Sequence, residues 1–416
     1  MNKKITIIFT CQILTVLFLS AQKDSPPNQA EIVSAVKDGT KYITEVLLDD
    51  QGKSKCEYDM LNGKWRDYEP AWHTGQLIYA LTESYHLLKD PETLTVAVKA
   101  GEWWTGLQIK DNPSLNGMLM AIHGAGVEYI VFATVSDGTA GLFKLYELTG
   151  NKKFADIPSE AGAWMLENMY DEKNGVCYDI ADPHTGEILK DNSPFWPEKL
   201  NQTLFDVARP NTEGSLFLDI YNYTGREEFR EAFINLCNSL VDKQGPEGLW
   251  MDFTPNDKED GSFHPRYNLW NAESLLDCYE LTNDSKYLEA AIATAKQYAD
   301  IQKKDGTIYY KNYIDGKPED RGSICGSAVS FAGIIWLRLL ELGEGDEFRK
   351  NVHRSARWVV NNRFTIDHPD PNLAGAFLNS RTRIKEGTAS IVNRDVGTAF
   401  GIRFIAKYND FIYGEN

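Results

Sequence analysis

The segment DGTAGLFKLYELTGNKKF, residues 137–154, contains the pattern that decides the fold. It begins with small polar residues, continues as an apolar helix, stops at Thr149-Gly150, and places an aromatic residue at the start of the next helix. The same order recurs in NTEGSLFLDIYNYTGREEF, residues 211–229, and in WNAESLLDCYELTNDSKY, residues 270–287. Looser copies occupy residues 72–88, 326–342 and 395–408. The sequence therefore predicts six helical hairpins.

The two helices of each hairpin differ in their apolar pattern. The first is apolar on nearly every face, as in VSFAGIIWLRLLEL, residues 329–342, so it is predicted to be an inner helix surrounded by protein. The second is amphipathic, since Phe229, Phe233 and Leu236 recur at helical spacing among charged residues. Outer helices are predicted at residues 31–48, 91–107, 153–169, 226–242, 285–302 and 346–362. Six inner and six outer helices specify an all-α (α/α)6 toroid, with a solenoid as the structural alternative.

The connections of the hairpins are unequal in length. Inner helices lead to outer helices through short turns, whereas outer helices return to inner helices through the long segments 49–71, 108–136, 170–210, 243–269, 303–325 and 363–394. Two of these loops have hairpin patterns, with turns at 182–186 and 313–316. All long loops gather where the inner helices begin, an end that we call the rim. Because long loops on a rigid scaffold often carry function, the rim is the predicted site.

The N-terminus has the pattern of a secretory signal peptide: a basic start, an apolar run over residues 5–19, and a small residue at Ala21. We expect cleavage after Ala21, export to the periplasm or beyond, and one toroid catalytic domain over residues 22–416. No later segment is apolar enough to cross a membrane. Five scattered cysteines follow the leader, without metal-binding or disulfide-framework spacing. Most are expected in the core, and one or two disulfides remain possible.

Charge narrows the class of ligand. The chain has 43 basic and 60 acidic residues and a formal net charge of −17, which argues against nucleic acid as a partner. No membrane partner is expected, and the oligomeric state stays open. An anionic oligosaccharide would need a locally positive pocket, which the converging N-termini of the inner helices favour. No cofactor is predicted, and no His/Asp/Glu cluster shows metal-ligand spacing.

Two sequence clusters at the rim are candidates for proton transfer. His264-Pro-Arg-Tyr267 combines an imidazole, a guanidinium and a phenol just ahead of an inner helix, and His123 lies among small residues that let a ligand approach. Loop structure and hydrogen bonding are the structural alternatives for these residues. The predicted catalytic residues are His123, Asp137, His264 and Tyr267.

Other rim residues are candidates for substrate contact. Arg209 and Arg394, with Asn211, are predicted to hold a carboxylate, or else each arginine pairs with a neighbouring acid. Asp137, Asn211 and Asp395 could instead be helix N-caps, and the tryptophans could fill the wide end of the barrel or stack on sugars. The predicted substrate-contacting residues are Trp72, His73, Arg209, Asn211, Glu213, Trp270, Asn271 and Arg394.

With these motifs the mature chain resembles the (α/α)6-toroid carbohydrate-active enzymes of bacterial polysaccharide degradation. Residues 137–150 are similar to the unsaturated uronyl hydrolases, in which an essential aspartate begins an inner helix. The Arg-Gly-Asn-Gly-Trp-type segment typical of those hydrolases is missing, and ARPNTE, residues 208–213, stands roughly in its place. The rim composition resembles that of uronate lyases and of the oligosaccharide dehydratases of ulvan breakdown.

The second resemblance implies a secreted enzyme of β-elimination on uronic-acid-containing oligosaccharides, which leaves a 4,5-unsaturated uronate at the non-reducing end. His123, His264 and Tyr267 would move protons, and Arg209, Asn211 and Arg394 would hold the carboxylate. Three alternatives remain: an unsaturated uronyl hydrolase that uses Asp137, a glycosidase on neutral sugars with Asp137 and Glu213 as its carboxylate pair, and a sugar-binding toroid without catalysis.

Overall fold

A computed structural model describes residues 25–124, 126–315, 322–385 and 388–414. The predicted leader 1–21 lies outside the described residues. Among those described, twelve helices of nine residues or more alternate between inner and outer positions. The outer helices are α1 Gln29–Tyr42, α3 Pro91–Thr105, α5 Lys153–Asn168, α7 Glu227–Lys243, α9 Ser285–Ile301 and α11 Arg349–Asn361. The inner helices are α2 Pro70–Leu88, α4 Phe132–Thr149, α6 Leu216–Thr224, α8 Tyr267–Thr282, α10 Gly326–Glu341 and α12 Val396–Tyr413.

The inner helices close into a ring, which confirms the predicted (α/α)6 toroid. Helix α2 packs on α4, α10 packs on α12, and α12 returns to α2. Helix α6 sits between α4 and α8, where Ser215 donates a hydrogen bond to Asp277 at 2.6 Å. In α10 nearly every residue is buried, as its all-round apolar pattern requires. In the outer helix α7, by contrast, burial is confined to one apolar stripe, which includes Phe229, Phe233 and Leu236.

Glycine permits the closest contact between inner helices. A Cβ atom at Gly75 of α2 would lie 1.9 Å from the backbone oxygen of Gly138 of α4. No side chain fits at that separation, so the two backbones touch directly. This crossing brings the start of α2 beside the start of α4, and both starts belong to the rim.

The short turns between inner and outer helices follow the predicted stop signals. Gly150 and Gly225 end α4 and α6 at φ angles of 68° and 71°, and Asn283 ends α8 at 57°. Glycine and asparagine tolerate this left-handed conformation best. Asp284 then caps α9 by accepting a hydrogen bond from the backbone N–H of Lys286.

Small sheets fill the long loops at the rim. The first sheet contains, in order, β11 Ser380–Lys385, β12 Thr388–Arg394, β1 Glu57–Asp59 and β2 Lys64–Arg66. The second contains β3 Ile122–Gly124, β4 Val127–Val131 and β7 Ile180–Ala181, and the third contains β5 Tyr170–Asp171, β6 Val176–Tyr178 and β8 Ala208–Arg209. The fourth is the pair of β9 Ser262–Phe263 and β10 Asn312–Tyr313. All strand pairs are antiparallel. The predicted turn at 182–186 is present, with Asp182 and Glu187 bonded across it, whereas the turn at 313–316 ends in residues outside the description.

Two inner helices begin about five residues away from their predicted starts. Helix α4 begins at Phe132, directly after β4, so Asp137 lies inside the helix rather than at its start. Helix α6 begins only at Leu216, because Gly214 and Ser215 adopt left-handed conformations with φ of 73° and 53°. The N-cap interpretation of Asp137 and Asn211 is therefore wrong. Asp395 occupies an N-cap position, but its carboxylate makes no cap hydrogen bond to the helix backbone.

The five described cysteines are buried and unbridged, as expected for core residues. Within the described ranges, no helix has the length and apolar content needed to cross a membrane.

Candidate active site

A cavity of about 320 Å³ opens at the rim. Its wall combines the ends of long loops with the first turns of inner helices, as the connection lengths predict. Eight of the predicted site residues line it: Trp72, His123, Arg209, Glu213, His264, Tyr267, Trp270 and Arg394. The predicted convergence of histidine, tyrosine and arginine side chains at one cavity is thus present in the structure.

Four predicted residues lie outside this cavity wall. Asp137 faces a second cavity at the opposite end of the ring and accepts a hydrogen bond from Trp72 Nε1 at 2.5 Å. His73 is completely buried, with Nδ1 bonded to Asp395 and Nε2 3.3 Å from Arg394 Nη2. Complete burial rules out direct contact between His73 and a ligand.

The two asparagines are also buried behind the wall. Asn211 donates its side-chain amide to Asp179, and Asn271 is 2% exposed on helix α8. Both were predicted to touch substrate, but neither lines the rim cavity. The position of Asn211 is that of a supporting residue, because Asp179, which accepts its hydrogen bond, in turn binds Arg209.

His123 is held by an acidic partner that the sequence did not reveal. Its Nδ1 lies 2.9 Å from Oε1 of Glu69, which also accepts a hydrogen bond from Thr134. Burial raises the pKa of Glu69, but His123 and Thr134 outweigh it, so the net pKa is lowered and the carboxylate stays ionised. The contact between Glu69 and His123 is an ion-pair approach, since Nδ1 has no hydrogen bond of acceptable geometry among the described residues. A carboxylate on the Nδ1 side leaves Nε2 as the nitrogen that accepts a proton.

Glu69 itself has an unusual backbone conformation. It precedes helix α2 with φ 56° and ψ 50°, the left-handed region that a side chain with a Cβ atom seldom adopts. Such conformations concentrate at functional sites, where the surrounding structure stabilises them. Here the strained position aims the carboxylate at His123.

His264 has a different role from that of His123. Its Nδ1 accepts hydrogen bonds from the backbone N–H groups of Arg266 and Tyr267, at 3.2 and 3.1 Å, at the start of helix α8. Burial, followed by the positive charge of Arg266, lowers its pKa well below the ordinary value. The ring is therefore neutral, with its proton on Nε2, and can donate a hydrogen bond but not act as a base through Nδ1.

Tyr267 is a protonated phenol next to a guanidinium. The Arg209 side chain lies over its ring, with 4.9 Å between the guanidinium carbon and the ring centroid. Burial raises the pKa of Tyr267 above its usual range, although Arg209 opposes the shift. A buried, protonated phenol lining the cavity can serve as a proton donor.

Glu213 contributes a carboxyl group that titrates near neutrality. Burial, together with repulsion from Asp137 and Asp179, raises its pKa to about 7 despite the attraction of Arg209. One oxygen lies 3.6 Å from Arg209 Nη2. At neutral pH this group can therefore give or take a proton.

Both arginines predicted to hold a carboxylate already have acidic partners. Arg209 Nε lies 3.2 Å from Asp179, and Arg394 Nε lies 2.5 Å from Glu57, which is completely buried. Their charges are largely compensated inside the protein. The alternative reading of these two arginines, pairing with a neighbouring acid, is the one that the structure shows.

Arg266 is the arginine on the cavity floor without an acidic partner among the described residues. It is 4% exposed, stacks over the rings of Trp72 and Trp270 at 5.8 and 5.6 Å, and donates from Nη1 to Ser327 at 2.8 Å. Its Nε, in the part of the chain that the structure describes, has no hydrogen-bond acceptor. A buried cation of this kind favours an anionic ligand group.

Several lining residues were missed by the sequence reasoning. Glu69 and Asp179 lack a local pattern that distinguishes them from ordinary loop residues, and Arg381 was also missed. The alternation of Arg381 and Arg383 in one strand was a usable signal, since residues two apart share a face. Aromatic rings complete the wall: Phe195 and Tyr68 pack against His123 at 4.9 and 5.5 Å.

Taken together, the side chains of the cavity can bind an anionic group and transfer protons. It combines an acid-backed imidazole, a protonated phenol, a neutral histidine donor, a carboxyl with a pKa of about 7 and an uncompensated guanidinium. Among the described residues, no group of three or more His, Cys, Asp or Glu side chains could hold a metal ion.

Comparison with known proteins supports the fold. Neither a protein-family model nor a curated protein matches the sequence. Solved structures do match: a cellobiose 2-epimerase from Bacillus thermoamylovorans at 15% identity and TM-score 0.66, covering 89% of this chain and 99% of its own. An unsaturated glucuronyl hydrolase from Bacillus sp. GL1 matches at 13% identity and TM-score 0.65, covering 93% of this chain and 97% of its own. Another unsaturated glucuronyl hydrolase, described as specific for heparin, matches at 12% identity and TM-score 0.66, covering 92% of this chain and 98% of its own. This chain thus shares the (α/α)6 toroid of sugar-processing enzymes.

Proposed function

We propose that this protein is a carbohydrate-active enzyme that performs β-elimination on uronic-acid-containing oligosaccharides. The observation that carries the proposal is the pairing of His123 with Glu69 in a cavity that also contains protonated Tyr267 and uncompensated Arg266. These groups supply a base, an acid and a carboxylate partner, which are the three requirements of the reaction.

The reaction begins at C5 of the uronate. Arg266 neutralises the carboxylate, which lowers the energy of the enolate that forms when C5 loses its proton. His123 Nε2 accepts that proton, and Glu69 stabilises the resulting imidazolium. The electron pair then forms the C4–C5 double bond as the C4–O bond breaks.

The leaving oxygen needs a proton. Tyr267 lies in the same cavity in its protonated form and donates to this oxygen, while Arg209 stabilises the phenolate that results. If the leaving group is a sugar the enzyme is a lyase, and if it is a hydroxyl group, which leaves as water, the enzyme is an oligosaccharide dehydratase. Ulvan fragments are candidate substrates.

Hydrolysis of an unsaturated uronyl group is the second candidate, and Glu213 is the observation that favours it. A carboxyl with a pKa of about 7 can act as a general acid in glycoside hydrolysis. Asp137, to which the resemblance to the hydrolases assigns that role, faces the opposite cavity. The toroid neighbours include hydrolases of this class, at identities that establish the fold alone.

One assay distinguishes the two reactions by the sign of the absorbance change. The purified protein is incubated with saturated and with 4,5-unsaturated glucuronate or iduronate oligosaccharides, and absorbance of the conjugated double bond is followed. A rise with saturated substrates supports elimination, and a fall with unsaturated substrates supports hydrolysis. No change with any uronate substrate contradicts both.

The proposal includes export and a single catalytic unit. The leader 1–21 would direct the chain to the periplasm or beyond, where oligosaccharides from outside the cell are met, and residues 22–416 would form the enzyme. N-terminal sequencing of the mature protein tests the cleavage site.

A further inference from the structure

A second cationic surface lies on the cavity wall, separate from Arg266 on the floor. It consists of Arg381 and Arg383 on strand β11 and Arg394 at the end of strand β12, and we call it the arginine wall. Arg381 lines the rim cavity, and Arg383, two residues further along the strand, points to the same side.

Tyrosine rings hold the arginine wall in place. The guanidinium of Arg381 lies 5.4 Å from the ring centroid of Tyr310, and those of Arg383 and Arg394 lie 5.9 and 5.1 Å from that of Tyr68. Stacking on an aromatic face orients a guanidinium while leaving its N–H groups available in the ring-parallel plane. Three cations are therefore presented together next to the cavity.

The charge of this wall is not balanced within the part of the protein that the structure describes. Arg394 is paired with Glu57, but neither Arg381 nor Arg383 has a described carboxylate within ion-pair distance. Burial, followed by repulsion from Arg383 and Arg394, lowers the pKa of Arg381. Holding like charges together is unfavourable, and it is unexpected in a chain of net charge −17.

We propose that the arginine wall is a subsite for a second anionic group, carried by the sugar next to the reacting uronate. The shared chemistry is an oxyanion with two or more terminal oxygens, which matches the fork of a guanidinium. A sulfate ester and a second uronate carboxylate both satisfy it. The inference rests on the proposed function only in taking an oligosaccharide as the ligand.

Binding measurements test the subsite without relying on turnover. Isothermal titration calorimetry measures the binding of three tetrasaccharides to the His123→Ala variant. Hyaluronan is the reference, because its uronates alternate with uncharged sugars. Chondroitin 4-sulfate adds sulfate esters, and oligogalacturonate has a carboxylate on every sugar. We expect either chondroitin 4-sulfate or oligogalacturonate, which carry additional anionic groups, to bind at least about tenfold more tightly than hyaluronan, and the preferred probe identifies the oxyanion. Equal affinity for all three, or binding of none, overturns the proposal.

A matched pair of variants assigns the preference to the arginine wall. Arg381→Gln/Arg383→Gln is expected to reduce the affinity ratio of the preferred probe to hyaluronan by at least about tenfold. The control Arg226→Gln/Arg349→Gln removes the same charge from two exposed surface ion pairs and should keep the ratio within about twofold. A ratio that falls equally in both variants overturns the subsite. Because the absorbance assay is independent of these ratios, failure of the subsite and failure of the proposed reaction are distinguishable.

Discussion

The two ends of the toroid contain cavities that differ in size, origin and charge pairing. The rim cavity, of about 320 Å³, is built from loop ends and first helical turns, whereas the cavity at the opposite end, of about 740 Å³, is lined mainly by inner helices. Seven acidic and four basic side chains line the larger one in the described structure. The smaller cavity contains His123, His264, Tyr267 and Arg266.

The two cavities also differ in how their arginines are paired, since Arg338 and Arg403 of the larger one both have acidic partners. In the larger cavity Arg338 lies 2.8 Å from both Asp277 and Glu280, so its charge is used to hold the inner helices together. In the rim cavity Arg266 and Arg381 have no acidic partner among the described residues. Uncompensated arginines beside proton-transfer groups indicate a ligand site at the rim.

Loss of the acid-backed imidazole is expected to have the largest effect on the rim cavity. His123→Ala should lower kcat for double-bond formation by about 10²- to 10⁴-fold, because no other described imidazole with a carboxylate at Nδ1 lines the cavity. Steady-state kinetics by absorbance measures it. His86→Ala, at the far end of helix α2, is the control and should retain wild-type activity. Near-normal kcat in His123→Ala would remove the base from the mechanism.

Loss of the phenol is expected to have the next largest effect. Tyr267→Phe keeps the ring under Arg209 but removes the proton donor, so kcat should fall about 10²-fold with KM nearly unchanged. Single-turnover kinetics separates the effect on the chemical step from the effect on substrate binding. Tyr309→Phe, a tyrosine outside the cavity lining, serves as the control. A rise in KM of about 10²-fold with unchanged kcat would instead assign Tyr267 to substrate binding.

The titration of Glu213 should appear in stability. Its pKa is raised from 4.5 to about 7, so the folded state holds a proton that the unfolded state releases, and stability falls as pH rises from about 4.5 to 7. The loss of unfolding free energy from this group is on the order of 3 kcal/mol. Glu213→Gln should remove that part of the slope in denaturant unfolding at pH 5 and 8. An unchanged slope would show that Glu213 has an ordinary pKa.

The opposite cavity should give the smallest effect on activity. Glu280→Gln removes one partner of Arg338 on the surface side, so unfolding free energy should change by no more than about 1 kcal/mol and kcat by less than about twofold. Chemical denaturation and the absorbance assay measure the two quantities. A tenfold loss of kcat would contradict the distinction between the two ends.

The rim location could be predicted because loop length is a local property of the chain. The starts of α4 and α6 could not be placed to the residue. Strand β4 runs directly into helix α4 at Phe132, and the left-handed turn at Gly214 and Ser215 delays α6 to Leu216. Both boundaries depend on packing at the rim, where Ser136 donates a hydrogen bond to the backbone of Glu213. Periodicity in one segment contains no information about such contacts.

The sequence by itself determined the ring, because burial of each helix is recorded in its own apolar pattern: all-round in α10, one-sided in α7. It also placed His123, His264, Tyr267 and the rim arginines near one another. The tertiary structure decided what each of them does. Glu69 orients His123, and Asp395, 322 positions along the chain, bonds to His73. Glu57 compensates the charge of Arg394, whereas the charge of Arg266 stays uncompensated among the described residues. Electrostatic partners are chosen by distance in space, and a linear pattern does not encode that distance.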